Sequence, residues 1–221
     1  MSQYKKLSVA ILLVLFGNAS MASEVYIEQA GSSSTIDITQ TGDGNTVGSA
    51  STPSTINGST TNVDIIQTGS SNAVDIETGV SASSSDINIT QTGNSNVADI
   101  DIGSADSTVL NIAVTGDSNE TTLCGTLGTV AAVGTSASCA TAMGENDFAA
   151  DVDINGDSNQ VAIARSGVAG VAGTTEVTVN IGATVASNNN IVNIQQLSTT
   201  ESGIVNLSID GSSNAVNILQ Q

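Results

Sequence analysis

The chain has 221 residues, with 22 glycines, one proline, no tryptophan, no histidine and only 2% aromatic residues. Its formal net charge of −18 argues against nucleic acid as a partner, because nucleic-acid binding depends on basic side chains. Without histidine the chain has no Ser-His-Asp or Cys-His arrangement, and we expect no enzyme activity and no cofactor. A hydrophobic content of 39%, with regular Val/Ile alternation, argues against disorder.

The sequence predicts a cleaved secretory signal peptide over residues 1–22. Lys5 and Lys6 precede the ten-residue apolar segment Leu7–Phe16, and a small-residue cleavage site ends at Ala22. The apolar segment is too short to span a bilayer, and a short membrane anchor or a buried helix is the alternative. We therefore expect a secreted protein, located outside the cell or at the cell surface.

Residues 23–221 are predicted to form one domain of repeats. The best-preserved copy is Asp86–Gly103, in which alternating apolar residues precede and follow the turn Gly93–Asn96. A half-copy, Val25–Gly31, comes before the first full copy. Stacking such strand-turn-strand units buries a thin apolar core that one unit cannot bury alone, which predicts an all-β fold, a β-solenoid with a cross-β core.

Two sets of turn residues recur in the repeats. The turn asparagines are Asn45, Asn72, Asn96, Asn119, Asn159, Asn190 and Asn214, at spacings of 27, 24, 23, 40, 31 and 24 residues. The turn glycines are Gly42, Gly69, Gly93, Gly116, Gly156 and Gly211.

Glutamines recur at a second set of positions, within the strands. The first strands carry Gln40, Gln67 and Gln91, and the second strands carry Gln196 and Gln220. Repeated amides in one register can form hydrogen-bonded ladders along a stack, as in cross-β assemblies. For the asparagines, the alternative is that they only suit the backbone of a tight turn.

Extra residues at about 48–62, 124–149 and 166–175 are predicted to be loops that protrude from one edge of the stack. The second insertion contains both cysteines, Cys124 and Cys139. In an exported chain an even pair of cysteines favours one disulfide. Two cysteines without histidine do not make a zinc site.

The repeat Ile-x-Ile-x-Gln-x-Gly-x-x-Asn-x-(Ala/Val)-x-Ile resembles the curlin repeat, found in subunits of bacterial curli. Ile36–Val47, Val63–Ile76 and Ile87–Ile102 match it most closely. The resemblance implies a functional-amyloid subunit of an extracellular, fimbrium-like fibre that serves adhesion and the biofilm matrix. The partners it implies are further copies of the chain, related curlin-like subunits and an outer-membrane secretion machinery.

Asp151, Asp153, Asn155 and Asp157 are a candidate calcium site, because oxygen ligands alternate before a turn glycine. Against this, position twelve of such a loop is Ala162, where a bidentate glutamate is expected. The alternative is that the segment only continues the solenoid register, with Val152 and Ile154 pointing inward. For the outward acidic residues in general, a solvated face suited to salt and weak binding of divalent cations are the two interpretations.

Thr39, Thr41, Thr90 and Thr92 are predicted to point outward in register. Flat threonine arrays suit ice or crystalline surfaces, whereas threonine is also an ordinary residue of exposed strands. The alternative function is therefore a monomeric extracellular β-solenoid that binds a surface such as ice, glycan or mineral.

Overall fold

The computed structural model describes residues 11–16, 23–30, 34–51, 53–102, 106–124, 126–129, 131–132, 135–141, 146–165, 175–182, 186–196 and 203–220. These residues form strands and turns and contain no helix, so none of them belongs to a helix that could cross a membrane. Parallel strands stack as a β-solenoid, which confirms the predicted fold class.

The described residues form twenty strands. The first ten are β1 Ile11–Phe16, β2 Glu24–Val25, β3 Ile27–Ala30, β4 Ser34–Thr41, β5 Thr46–Val47, β6 Ser54–Thr68, β7 Ala73–Ile87, β8 Thr90–Thr92, β9 Val97–Ile102 and β10 Asp106–Leu110. The last ten are β11 Val114–Thr115, β12 Glu120–Cys124, β13 Thr126–Thr129, β14 Ser138–Thr141, β15 Asn146–Ala149, β16 Gln160–Arg165, β17 Thr175–Glu176, β18 Ile191–Gln196, β19 Gly203–Ile204 and β20 Ala215–Gln220.

The strands on either side of a turn pair with other copies and not with each other. The strand before the turn, β8, pairs with β6 and β11, and the strand after it, β9, pairs with β7 and β12. We call the strands before the turns the first column and those after the turns the second column. Each coil returns the chain to the same column, so all pairings within a column are parallel.

The register places like residues on like residues. In the first column Ile38 lies over Ile65, and in the second column Ile76 lies over Ile100. Because side chains alternate with a period of two, a slip of one residue would turn every apolar side chain outward. The inward Val, Ile and Leu side chains of both columns therefore form one continuous buried core.

Glycine at the turn is required by geometry. Gly93 has a φ of +122°, and a Cβ there would lie 2.0 Å from the carbonyl oxygen of Gly116 in the next coil. Ser95, just before Asn96, also has a positive φ, of 58°. The left-handed positions of this turn are thus the glycine and the residue before the asparagine, so the turn conformation does not explain the asparagine.

The predicted leader is partly described. Ile11–Phe16 forms β1, which pairs in parallel with Ile36–Thr41 and is the first strand of the first column. The rest of residues 1–22 lies outside the described residues, and cleavage of the leader stays a prediction.

The prediction that the insertions are loops is wrong in part for two of the three. Within 48–62, β6 begins at Ser54 and pairs with β3, because the half-copy needs a partner strand beneath it. Within 124–149, β13 and β14 form an antiparallel hairpin. Of 166–175, only Thr175 is described, and it begins β17.

The hairpin insertion covers the outside of the second column, where we expected a protruding loop. Asn193 on β18 accepts from the Ala131 N–H at 2.9 Å and donates to its carbonyl at 3.0 Å. Ala131 packs against Ala162 and Ile191, outward residues of β16 and β18. Because Ala162 and Ile191 are apolar, burying them beneath the hairpin insertion is more favourable than leaving them in water.

The predicted Cys124–Cys139 disulfide is not formed, because Cys124 is a buried thiol. Cys124 ends β12 of the main sheet and lies beside Ala164, whereas Cys139 lies opposite Leu127 in the hairpin. No strand pairing holds the two cysteine backbones side by side.

Candidate functional site

An asparagine ladder runs through all seven predicted turn positions. In each step the Nδ2 of one asparagine donates to the Oδ1 of the preceding one, at 3.0–3.1 Å. The backbone N–H donates to the same oxygen at 2.9–3.0 Å. The ladder members are Asn45, Asn72, Asn96, Asn119, Asn159, Asn190 and Asn214.

Each asparagine before the last also satisfies the turn of the following coil. Asn96 Nδ2, for example, donates to the Gly116 carbonyl at 2.7 Å. In the sixth coil Ser187 replaces glycine, and its carbonyl accepts from Asn159 at the same distance. These side chains are buried, except that of Asn214 at the end of the stack. None of the seven has a positive φ, so their role is the ladder and not the turn conformation.

A glutamine ladder joins the first three coils. Gln40 Nε2 donates to Gln67 Oε1 at 2.8 Å, and Gln67 Nε2 donates to Gln91 Oε1 at 3.1 Å. The next residue along the column is Val114, and the buried Gln91 Nε2 has no hydrogen-bond partner among the described residues. At the other end Leu15 of β1 lies beside Gln40, whose buried Oε1 likewise has no partner in the described part of the chain.

The second column has its own glutamine pair at the C-terminal end of the stack. Gln196 Nε2 donates to Gln220 Oε1 at 2.8 Å. The direction of donation, from each coil to the next one along the chain, is the same as in the first column.

A third ladder, on the exposed side of the turns, was not predicted. The Asn94 N–H donates to Asp117 Oδ1 at 2.6 Å, and the Asp117 N–H donates to Asp157 Oδ1 at 2.9 Å. The Asp157 N–H then donates to Asn188 Oδ1 at 2.8 Å. The signal was present in the sequence, since the residue after the turn glycine is Asp, Asn or Ser in every copy. Asn193, which holds the hairpin through Ala131, was also missed. Its role depends on the hairpin insertion, which occurs only once in the chain.

The candidate calcium residues are not gathered into one site. Val152 and Ile154 point into the core, so Asp151 and Asp153 alternate with them on the outer face. Asp153 accepts from Asn180 Nδ2 at 2.9 Å, and Asp157 accepts the Asp117 N–H. Within the described part of the chain no three His, Cys, Asp or Glu residues group as metal ligands.

The Asp151 carboxyl has a perturbed acidity. Partial burial raises its pKa, and the neighbouring Asp153 carboxylate raises it further. In the two preceding copies the equivalent residues are Asn88 and Asn111, joined by a hydrogen bond of 2.6 Å. Asp151 therefore places a carboxylate where an asparagine amide would extend the hydrogen bonding of Asn88 and Asn111 by one more coil.

The last coil is open to solvent. Along β20 exposed residues alternate with half-buried ones, whereas the equivalent strand β18 is buried at nearly every residue. Val216 and Ile218 pack on the core from one side only, and Leu219 is 57% exposed. The end of the stack thus presents an apolar surface together with a free strand edge.

No family model, curated protein or solved structure matches the chain.

Proposed function

We propose that this chain is a self-assembling structural subunit of extracellular, curli-like amyloid fibres, which serve adhesion and the biofilm matrix. Assembly proceeds through the strand edges at the ends of the stack. A further copy adds its strands in the same parallel register that the coils use within one chain.

The open last coil is the observation that carries this proposal. An unpaired strand edge presents a row of N–H and C=O groups that can pair with another chain. Here the edge of β20 is flanked by half-exposed Val216 and Ile218, so pairing would also bury apolar side chains. Every internal coil already gains both kinds of contact from its neighbours.

The repeated amides give the same interface its register. Asn190 Oδ1 accepts two hydrogen bonds from Asn214, one from its N–H and one from its Nδ2. Asn214 Oδ1 is the equivalent oxygen at the end of the ladder. A copy added in register would complete these bonds, as identical stacked side chains do in cross-β fibres.

Thioflavin fluorescence and fibre diffraction of the purified protein test the proposal. We expect fluorescence that grows with time and a meridional reflection at about 4.8 Å. A protein that stays monomeric for days at high concentration, with no such reflection, would contradict it.

One observation favours the alternative, a monomeric module that binds an ice, glycan or mineral surface. Thr41, Thr68, Thr92 and Thr115 lie in register on four successive coils and are all exposed. The neighbouring column is less regular, because Ile66 separates Thr39 from Thr90.

Ice shaping and adsorption to mineral powder test this alternative. A Thr92→Tyr variant should lose binding, because it breaks the flat array, whereas Val97→Tyr on the exposed second column should keep it. Equal binding by both variants would rule out the threonine face.

A further inference from the structure

Three neighbouring strands of the second column, β12, β16 and β18, are buried on both faces. Every side chain of residues 121–124, 161–164 and 191–194 is buried, including those that point away from the core. In β9, by contrast, buried side chains alternate with exposed or half-buried ones. We call the outward residues of the three strands the covered face: Thr122, Cys124, Ala162, Ala164, Ile191 and Asn193.

The hairpin insertion is the part of the chain that lies over the covered face. Its strand β14 lies against β12, and its strand β13 lies against β16. Ala131 and Ala137 of the insertion pack against Ala162 and Ile191. Asn193 holds the backbone of Ala131 by two hydrogen bonds, at 2.9 and 3.0 Å. The main sheet thus holds the insertion through the side chain of Asn193 and through small apolar contacts.

The covered face differs in charge from the preceding coils of the same column. At the outward position of Thr122 the two preceding coils carry Asp99 and Asp75, whereas the two following coils carry Ala162 and Asn193. Carboxylates at this position oppose the approach of a second copy, because like charges repel. Carboxylates therefore protect one part of the outer face, and the hairpin insertion covers the part that has none.

Without the insertion, the covered face would suit another sheet. Its side chains are uncharged and mostly small, and they lie in register from strand to strand. Faces of this kind pack against each other at a distance of about 10 Å in cross-β fibres. Strand spacing and length give the face an area on the order of 250 Å². A stable complex of two proteins buries about 800 Å² on each partner, so two single chains would not stay paired through this face. Along a fibre the face recurs in every copy, and the contributions add.

We propose that the hairpin insertion is a protective cover that keeps fibres from associating side by side. The partner that it excludes is the covered face of a second fibre of the same chain. This inference rests on the proposed function and adds to it a control of fibre width. Growth of a fibre uses the strand edges at the ends of the stack, so it does not require the cover to open.

Chemical labelling of Cys124 measures opening of the cover in the unassembled protein. This thiol is fully buried on the covered face, and Cys139→Ser makes it the only thiol of the chain. In this background Asn193→Ala removes both hydrogen bonds to the insertion and should raise the labelling rate on the order of 10-fold. Asn111→Ala removes an exposed amide hydrogen bond of the first column and should leave the rate unchanged. Equal rates in these two variants would contradict a cover held by Asn193.

Electron microscopy of fibres grown from the full-length chain tests the role of the cover. In the uncovered variant a Gly/Ser segment of equal length replaces residues 126–141. We expect single fibres from the wild type and bundles at least about twice as wide from the uncovered variant. Asn193→Ala keeps the insertion and should widen the fibres by less. Circular dichroism before assembly shows whether each variant keeps its strands.

A rescue experiment separates loss of the cover from damage to the fold. Ala162→Asp in the uncovered variant continues the carboxylates of Asp75 and Asp99 and should restore single fibres. Ala162→Ser, a polar change without charge, should leave the bundles as they are. Bundles that Ala162→Asp does not separate would show that the covered face is not the surface of contact.

The two proposals fail in different ways. A wild-type chain that forms no fibres overturns the proposed function and the control of fibre width with it. Wild-type fibres that already form bundles overturn the protective cover alone. Uncovered fibres that keep the width of the wild type do the same and leave the proposed function standing.

Discussion

Asn96→Ala should be among the most destabilising single changes in the chain, because Asn96 lies in the middle of the asparagine ladder and is fully buried. Its Nδ2 donates to Asn72 and to the Gly116 carbonyl, at 3.1 and 2.7 Å. Its Oδ1 accepts from the N–H and the Nδ2 of Asn119, at 3.0 and 3.1 Å. Alanine removes all four hydrogen bonds and leaves the buried Asn119 N–H without an acceptor.

The loss can be estimated from these contacts. At a net contribution of about 1 kcal/mol for each hydrogen bond, the variant should lose roughly 4 kcal/mol of unfolding free energy. Asn214→Ala, at the open end, breaks only the bond from its side chain to Asn190 and should lose about 1 kcal/mol. The gradient from centre to end is a property of a ladder and not of independent turns.

Urea denaturation of the unassembled protein measures both losses, with an unchanged slope as the sign that only stability has changed. Ser95→Ala is the matched control, because Ser95 is exposed and lies in the same turn. If Asn96→Ala and Ser95→Ala differ by less than about 0.5 kcal/mol, the ladder does not hold the coils together.

Three further changes test other parts of the fold. Gly93→Ala should prevent native folding as seen by circular dichroism, because its Cβ would clash with the Gly116 carbonyl, whereas Gly211→Ala at the open end meets its nearest atom only at 3.4 Å and should be milder. Val114→Gln should change the unfolding free energy by less than about 1 kcal/mol, because it gives the unpaired Gln91 Nε2 an acceptor but leaves its own Nε2 unpaired, whereas Val114→Ala should lower the unfolding free energy by more, because it leaves a cavity in the core. Asp151→Asn should stabilise the protein at neutral pH and lose this advantage below about pH 3, as pH-dependent thermal unfolding would show. The sign follows from the raised pKa of Asp151, since the folded chain then binds the proton more tightly and stability falls as pH rises through that pKa.

The parts of the fold that repeat could be predicted from sequence. Strand alternation has a period of two, so the alternating apolar residues of a copy were expected to share one face, and Ile87 and Ile100 are indeed both buried. The amides were found for the same reason, since Asn72 and Asn96 recur at one distance from a turn glycine. Repetition lets one copy test the interpretation of another.

Features that occur once were not predicted. The β13–β14 hairpin has no second copy for comparison, and its position depends on Asn193, which is 62 residues away from Ala131. Backbone bends were also missed, because Ile89 and Ile112 have φ values near +40°, which branched side chains rarely adopt. The packing of successive coils imposes these conformations against local preference.

The hydrogen bonds of the internal coils show which contacts a terminal coil lacks. A level such as Asn119 is stable because the coils on both sides complete its hydrogen bonds. At the C-terminal end Asn214 and Leu219 lack such a neighbour and are exposed. A second copy added in the same register would supply one. The interactions that hold one chain together are, for this reason, the same ones that would join it to the next.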